Sequence, residues 1–137
     1  TGSSIAIADP AGIIYYCSQR LIEIESKFPK STNYFILHEY GHIKLNTGFE
    51  PEVGGWTSNE LAKSTEGEAT LTSVRKFLST KNKINGKYGR TGKHRATLIE
   101  GCQEYGLSYL KTWLNDYKEV SNYYNKDINL KKYYNEK

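Results

Sequence analysis

Apolar and polar positions recur with two different periods along this chain, and the change of period divides it into elements. Near the N-terminus, Ile5-Ala6-Ile7-Ala8 and Ile13-Ile14-Tyr15-Tyr16-Cys17 are short β-prone runs separated by Asp9-Pro10-Ala11-Gly12. The separator has turn chemistry, so the pattern predicts a hairpin or two adjacent strands of a small sheet. Ser18 reads as the N-cap of a short helix over Gln19 to about Lys27, stopped by Pro29. A second helix begins at once, with Ser31 or Thr32 as N-cap and Gly48 as C-cap. It carries Phe35, Ile36, Leu37, Ile43 and Leu45, with no proline and one glycine inside, which predicts a largely buried helix.

Residues 47–57 hold Gly48, Pro51, Gly54 and Gly55 and read as a breaker-rich loop, with Trp56 as a core or rim anchor or else a wall of a substrate cleft. A further helical stretch starts at Ser58 or Thr65 and runs to Thr80. Its small and apolar positions Ala69, Ser73 and Phe77, with Val74 and Leu78, recur at helical spacing. Lys81 to Gly92 is a basic loop with turns at Asn85-Gly86 and Arg90-Thr91-Gly92. From about Lys93 to Val120, the series Leu98, Ile99, Cys102, Tyr105, Leu107, Leu110, Trp113, Leu114 and Tyr117 predicts one amphipathic helix, or two broken near Gly106. Residues 121–137 repeat Tyr-Tyr-Asn in degraded form and read as a short helix or frayed tail, leaving residues 1–120 as the single domain.

Composition changes this picture little. The 37% apolar content is enough for one core, and no run approaches the roughly 18 to 20 apolar residues a bilayer span needs. Net charge is +4, concentrated in Lys76, Lys81, Lys83, Lys87, Arg90, Lys93 and Arg95 without an intervening acid. That run reads as a solvated loop. Aromatic interleaving of nucleic-acid type is lacking beyond Tyr88, so a nucleic-acid partner is not expected. Cys17 and Cys102 read either as two buried thiols or as one long-loop disulfide. The start Thr1-Gly2-Ser3-Ser4 and the absence of methionine suggest a processed or engineered end, with a secreted or periplasmic location favoured over a cytoplasmic one.

The chemistry lies in His38-Glu39-Tyr40-Gly41-His42, of the form H-E-x-x-H. Helix residues four apart share a face, so both imidazoles can close on one metal ion. Zinc in catalytic sites takes three protein ligands and keeps a position open, and Glu39 stands where a general base is needed. Two of the chain's three histidines fall in this motif. A third ligand has to come from Glu50, Glu52, Glu60, Glu66, Glu68, His94, Glu100 or Glu104. Glu66 is the best placed of these, on a helical face with the small residues Ala69 and Ser73. Thr65-Glu66-Gly67-Glu68 fits a capping box with Glu68 turned back on its own helix end.

The five-residue motif followed by Glu66-Gly67-Glu68-Ala69 resembles the gluzincin metallopeptidases, whose third ligand is a glutamate in a Glu-x-x-Ala-Asp/Asn pattern on the next helix. The resemblance implies His38, His42 and Glu66 as ligands of Zn2+ and Glu39 as base. Thr70 stands where the family has Asp or Asn. A weaker likeness over residues 92–102 to HtpX-like peptidases and small soluble relatives implies a cleft-facing role for Arg95. It lacks the His-Pro element that precedes the arginine there. The fold implied is a small α+β metallopeptidase-like domain: a few-stranded sheet, the motif helix, a ligand helix and a long C-terminal helix. In that class an edge strand, here Ile13 to Cys17, binds extended peptide. The expected activity is zinc-dependent endopeptidase hydrolysis of a peptide or protein substrate. The rivals are a non-catalytic zinc-binding module, an ImmA-like protease that cleaves a repressor, and a protease whose own tail fills its cleft.

Overall fold

A computed structural model describes residues 5–81, 92–113 and 115. The chain forms a mostly helical domain with one small antiparallel sheet, a small α+β architecture. The expected hairpin is present: β1 (Ala6–Asp9) pairs with β2 (Ile13–Tyr16) in the register Ala6 opposite Tyr16 and Asp9 opposite Ile13. Its turn closes as its residues dictate. The Asp9 carboxylate accepts the Ala11 N–H at 2.8 Å, and Gly12 takes a φ of +95° that a side chain would disfavour. On one face of the hairpin Ala6, Ala8 and Ile14 are half-buried and Tyr16 is exposed, and on the other Ile7, Ile13 and Tyr15 are exposed.

Helix α1 (Ser18–Lys27) is capped at Cys17, one residue before the expected Ser18, and stops ahead of Pro29. Helix α2 (Ser31–Leu45) carries the H-E-x-x-H motif. Neither Ser31 nor Thr32 caps it; the N-cap is Lys30, in the left-handed region at φ +71°. The missing acceptor comes from α1, where the Glu25 carboxylate takes the N–H groups of Lys30 and, at 3.0 Å, Thr32. Those donors outweigh the burial that would raise the Glu25 pKa and hold it below the usual glutamate range. The helix ends at Asn46, which turns the chain with φ +51° two residues before Gly48.

The largest departure from expectation is α3 (Glu50–Leu61), a helix in the segment whose breakers predict a loop. Pro51 sits in the first turn, where its missing N–H has no partner to lose. The glycines in and opposite α3 serve contact rather than bending. A Cβ on Gly55 would stand 2.2 Å from Leu110 Cδ1, and one on Gly41 of α2 would stand 2.8 Å from the Trp56 ring. Trp56 is thus the buried anchor the sequence suggests. Thr57, Ser58 and Asn59 return their side chains to the carbonyls of Val53, Gly54 and Gly55, which satisfies polar groups inside the domain.

Helix α4 (Thr65–Ser79) is capped by Ser64, whose hydroxyl accepts the Gly67 N–H, instead of by Thr65. Glu68 does not turn back on its helix; it accepts the Gln103 amide of α5 (Gly92–Tyr105) at 2.8 Å. The buried face of α4 runs through Gly67, Thr70, Leu71, Val74, Phe77 and Leu78. Ala69 is exposed and Ser73 half-buried, so the two small residues expected to meet the motif helix lie outside the buried face of α4. Tyr34, Phe35, Leu71, Val74, Phe77, Leu78 and Ile99 form the main core where α2, α4 and α5 meet. Gly106 at φ +70° ends α5, and residues 107–113 are helical again, which selects the broken form of the expected C-terminal helix. The turns expected at Asn85 and Arg90, and the tail, lie outside the described residues. No described helix is long and apolar enough to cross a membrane. Cys17 and Cys102 are not joined by a disulfide, and Cys102 is buried.

Candidate metal centre

Tyr34, His38 and His42 lie at intervals of four on α2 and share one face. After Asn46 turns the chain, Thr47 organises the short connection: its hydroxyl accepts the Phe49 N–H at 3.1 Å, and α3 starts one residue later. Glu50, the first residue of α3, is thereby delivered against the histidine face. Its Oε2 is 2.9 Å from His38 Nε2 and its Oε1 is 2.9 Å from His42 Nε2. His38, His42 and Glu50 form a buried cluster that can hold a metal ion, with one donor atom from each within 4.8 Å of the others.

The hydrogen bonds of His42 define its chemistry. Its Nδ1 is 2.8 Å from the Thr47 carbonyl, which can only accept, so Nδ1 carries the proton and neutral His42 has its lone pair on Nε2. That lone pair lies 2.9 Å from a carboxylate oxygen of Glu50. Two acceptors at this distance repel unless a cation joins them, either a proton on His42 or a metal ion coordinated by both. Burial favours the neutral ring, but Glu50, the Thr47 carbonyl and Glu39 outweigh it and raise the His42 pKa. At His38 burial wins over Glu50, and the pKa falls. Burial alone would raise the Glu50 pKa, yet the two histidines hold its carboxyl well below the usual range. An ionised carboxylate and imidazoles that present Nε2 are a donor set of the kind zinc takes in catalytic sites.

The other expected site residues divide. Glu39 is buried beside the cluster, with Oε2 3.9 Å from His42 Nε2. Arg95, on α5, is half-buried against the Tyr34 hydroxyl, and its charge reaches His38. Glu66 is not part of the cluster. It is exposed in the first turn of α4, outside that helix's buried face, and Glu50 supplies the carboxylate that meets the histidines. Thr70 is buried and accepts the Asn33 side-chain amide at 3.4 Å. The His94 side chain lies outside the described residues.

Glu50 stands among the eight candidate third ligands, but a loop reading of residues 47–57 gives it no fixed position. Glu50-Pro51-Glu52 carries the missing signal, because two acids flanking a proline mark a helix start. Tyr34 could be found from its spacing of four from His38. No protein-family model, curated protein or solved structure matches the chain.

Proposed function

We propose that this chain is a zinc-dependent peptidase in which His38, His42 and Glu50 hold the metal and Glu39 is the general base. The observation that carries the reading is the meeting of His38 Nε2 and His42 Nε2 with one ionised carboxylate, Glu50. The ligands fall within 13 residues of sequence on a single helix–turn–helix. Zinc held there supplies a Lewis acid that polarises a carbonyl and acidifies water. Glu39, buried and adjacent in sequence to a ligand, takes the proton from the attacking water and returns it to the leaving amine. The Thr47 carbonyl fixes the His42 tautomer, as groups behind metal ligands commonly do. The positive charge of Arg95 on the same side of the domain suits the developing negative charge of a tetrahedral intermediate.

One observation favours a second reading, a zinc-holding module without turnover. His38, Glu39 and Glu50 are only 4–5% exposed, which leaves a substrate little room in this conformation. Glu39→Gln separates the two. In a peptidase the variant keeps about one zinc per chain and loses roughly 100-fold or more of its activity on a peptide library. Equal turnover by both forms, or zinc binding with turnover by neither, overturns the peptidase reading.

A further inference from the structure

The two histidines of the cluster are held in unequal ways. His42 has its Nδ1–H fixed by the Thr47 carbonyl. His38 is more deeply buried, yet its Nδ1 has no hydrogen-bond partner among the described residues. A ligand imidazole normally has its ring plane set through that nitrogen. One turn earlier on the same face stands Tyr34, with its ring centroid 5.6 Å from that of His38 and the planes inclined at 32°. Tyr34 is itself clamped: it is 2% exposed, and its hydroxyl lies against Arg95. A Cβ placed on Gly54 would sit 3.5 Å from that hydroxyl and 4.0 Å from His38 Cε1, so the Tyr34 tip and the His38 ring share one wall of α3. On the other side of His38 the His42 ring is 5.0 Å away, nearly perpendicular at 78°.

We propose that Tyr34 is the positioning residue for His38, setting by ring packing the orientation that a carbonyl sets for His42. The inference rests on the reading of His38, His42 and Glu50 as a metal centre. Rotation of the His38 ring about its Cβ–Cγ bond would drive its edge into Tyr34, and Tyr34 cannot yield because its ring is buried and packed edge-on against Phe35 at 5.7 Å. The ring is the working part, and the hydroxyl contact with Arg95 only adds to its hold. Phe at this position therefore keeps most of the function, and a flexible aliphatic side chain does not.

The test is zinc affinity, measured by competition with a chromophoric chelator. Tyr34→Phe binds within a fewfold of the wild type, and Tyr34→Leu binds about 10- to 100-fold more weakly. Leu98→Ala is the structural control. Leu98 is buried in the separate core cluster of Leu98, Cys102 and Leu110, so its truncation lowers Tm and leaves the zinc affinity of the folded protein within about twofold. Should Tyr34→Leu fail to fold, proton NMR of the wild type decides. The His38 ring protons are expected to show cross-peaks to the Tyr34 ring and a ring-current shift that persists in Tyr34→Phe. Wild-type affinity in a folded Tyr34→Leu, or absence of those cross-peaks, overturns the positioning role alone. A wild type that binds no zinc overturns the metal centre, and the positioning role with it.

Discussion

Glu50→Gln is the substitution on which the two candidate carboxylates give opposite forecasts. The change keeps side-chain volume and removes the negative charge that sits 2.9 Å from both imidazoles. Loss of a group that merely orients a ligand costs about 10- to 100-fold in metal affinity, so loss of a charged ligand is expected to exceed 100-fold, or about 2.7 kcal/mol. Thermal unfolding reads this through linkage. With free zinc at about 100 times the wild-type Kd, the metal stabilises the wild type by about 2.7 kcal/mol and Glu50→Gln by no more than about 0.4 kcal/mol. The metal-free variant also loses stability, about 1–3 kcal/mol, because the imidazoles lose a charged acceptor inside the domain. Glu66→Gln is the matched control. Its carboxylate is exposed on α4, so melting curves with and without zinc should follow the wild type. Zinc-induced stabilisation retained in Glu50→Gln and lost in Glu66→Gln would refute the assignment.

Other perturbations test the frame around the site. Glu25→Gln weakens the acceptor at the start of α2 and should cost about 0.5–1 kcal/mol, at the low end of capping effects because the carboxylate is partly exposed. Its folded pKa is depressed, so its contribution is full above the ordinary glutamate pKa of about 4.3 and fades as pH falls through the folded value. Denaturant titrations of wild type and variant should therefore converge in acid. Gly67→Ala would put a Cβ 1.7 Å from the Leu61 carbonyl oxygen, and backbone cannot step aside as a side chain can. A loss of about 2–3 kcal/mol in chemical denaturation is expected despite the better helix propensity of alanine. Burial pushes the Cys102 thiol up to about 12, so iodoacetamide should label half-buried Cys17 first, by roughly tenfold or more in rate.

How much of this was legible beforehand follows from how local each signal is. The hairpin and the motif helix are readable because turn residues and helical spacing act within a few residues, whereas spacing leaves a continuous helix and a break at Gly106 both open. The α3 helix is not readable, because Pro51, Gly54 and Gly55 are breakers by intrinsic preference. Here Pro51 occupies the one turn that tolerates it, and Gly55 sits where Leu110 leaves no room for a side chain. The choice of candidate third ligand follows from reading that segment as a loop. Spacing favours Glu66 when Ala69 and Ser73 face the motif helix, and in the fold Thr70, Leu71 and Val74 occupy the buried face. The cap of α2 was out of reach for another reason. Glu25 belongs to a different helix, and pattern along one segment does not report a donor–acceptor pair made across two.

The most direct measurement is anomalous diffraction at the zinc edge from crystals of the zinc-loaded protein. The account predicts one strong peak within coordination distance of His38 Nε2, His42 Nε2 and a Glu50 carboxylate oxygen, with Glu66 remote from it. A peak that engages Glu66 and leaves Glu50 turned away, or zinc bound anywhere else in the molecule, would contradict it.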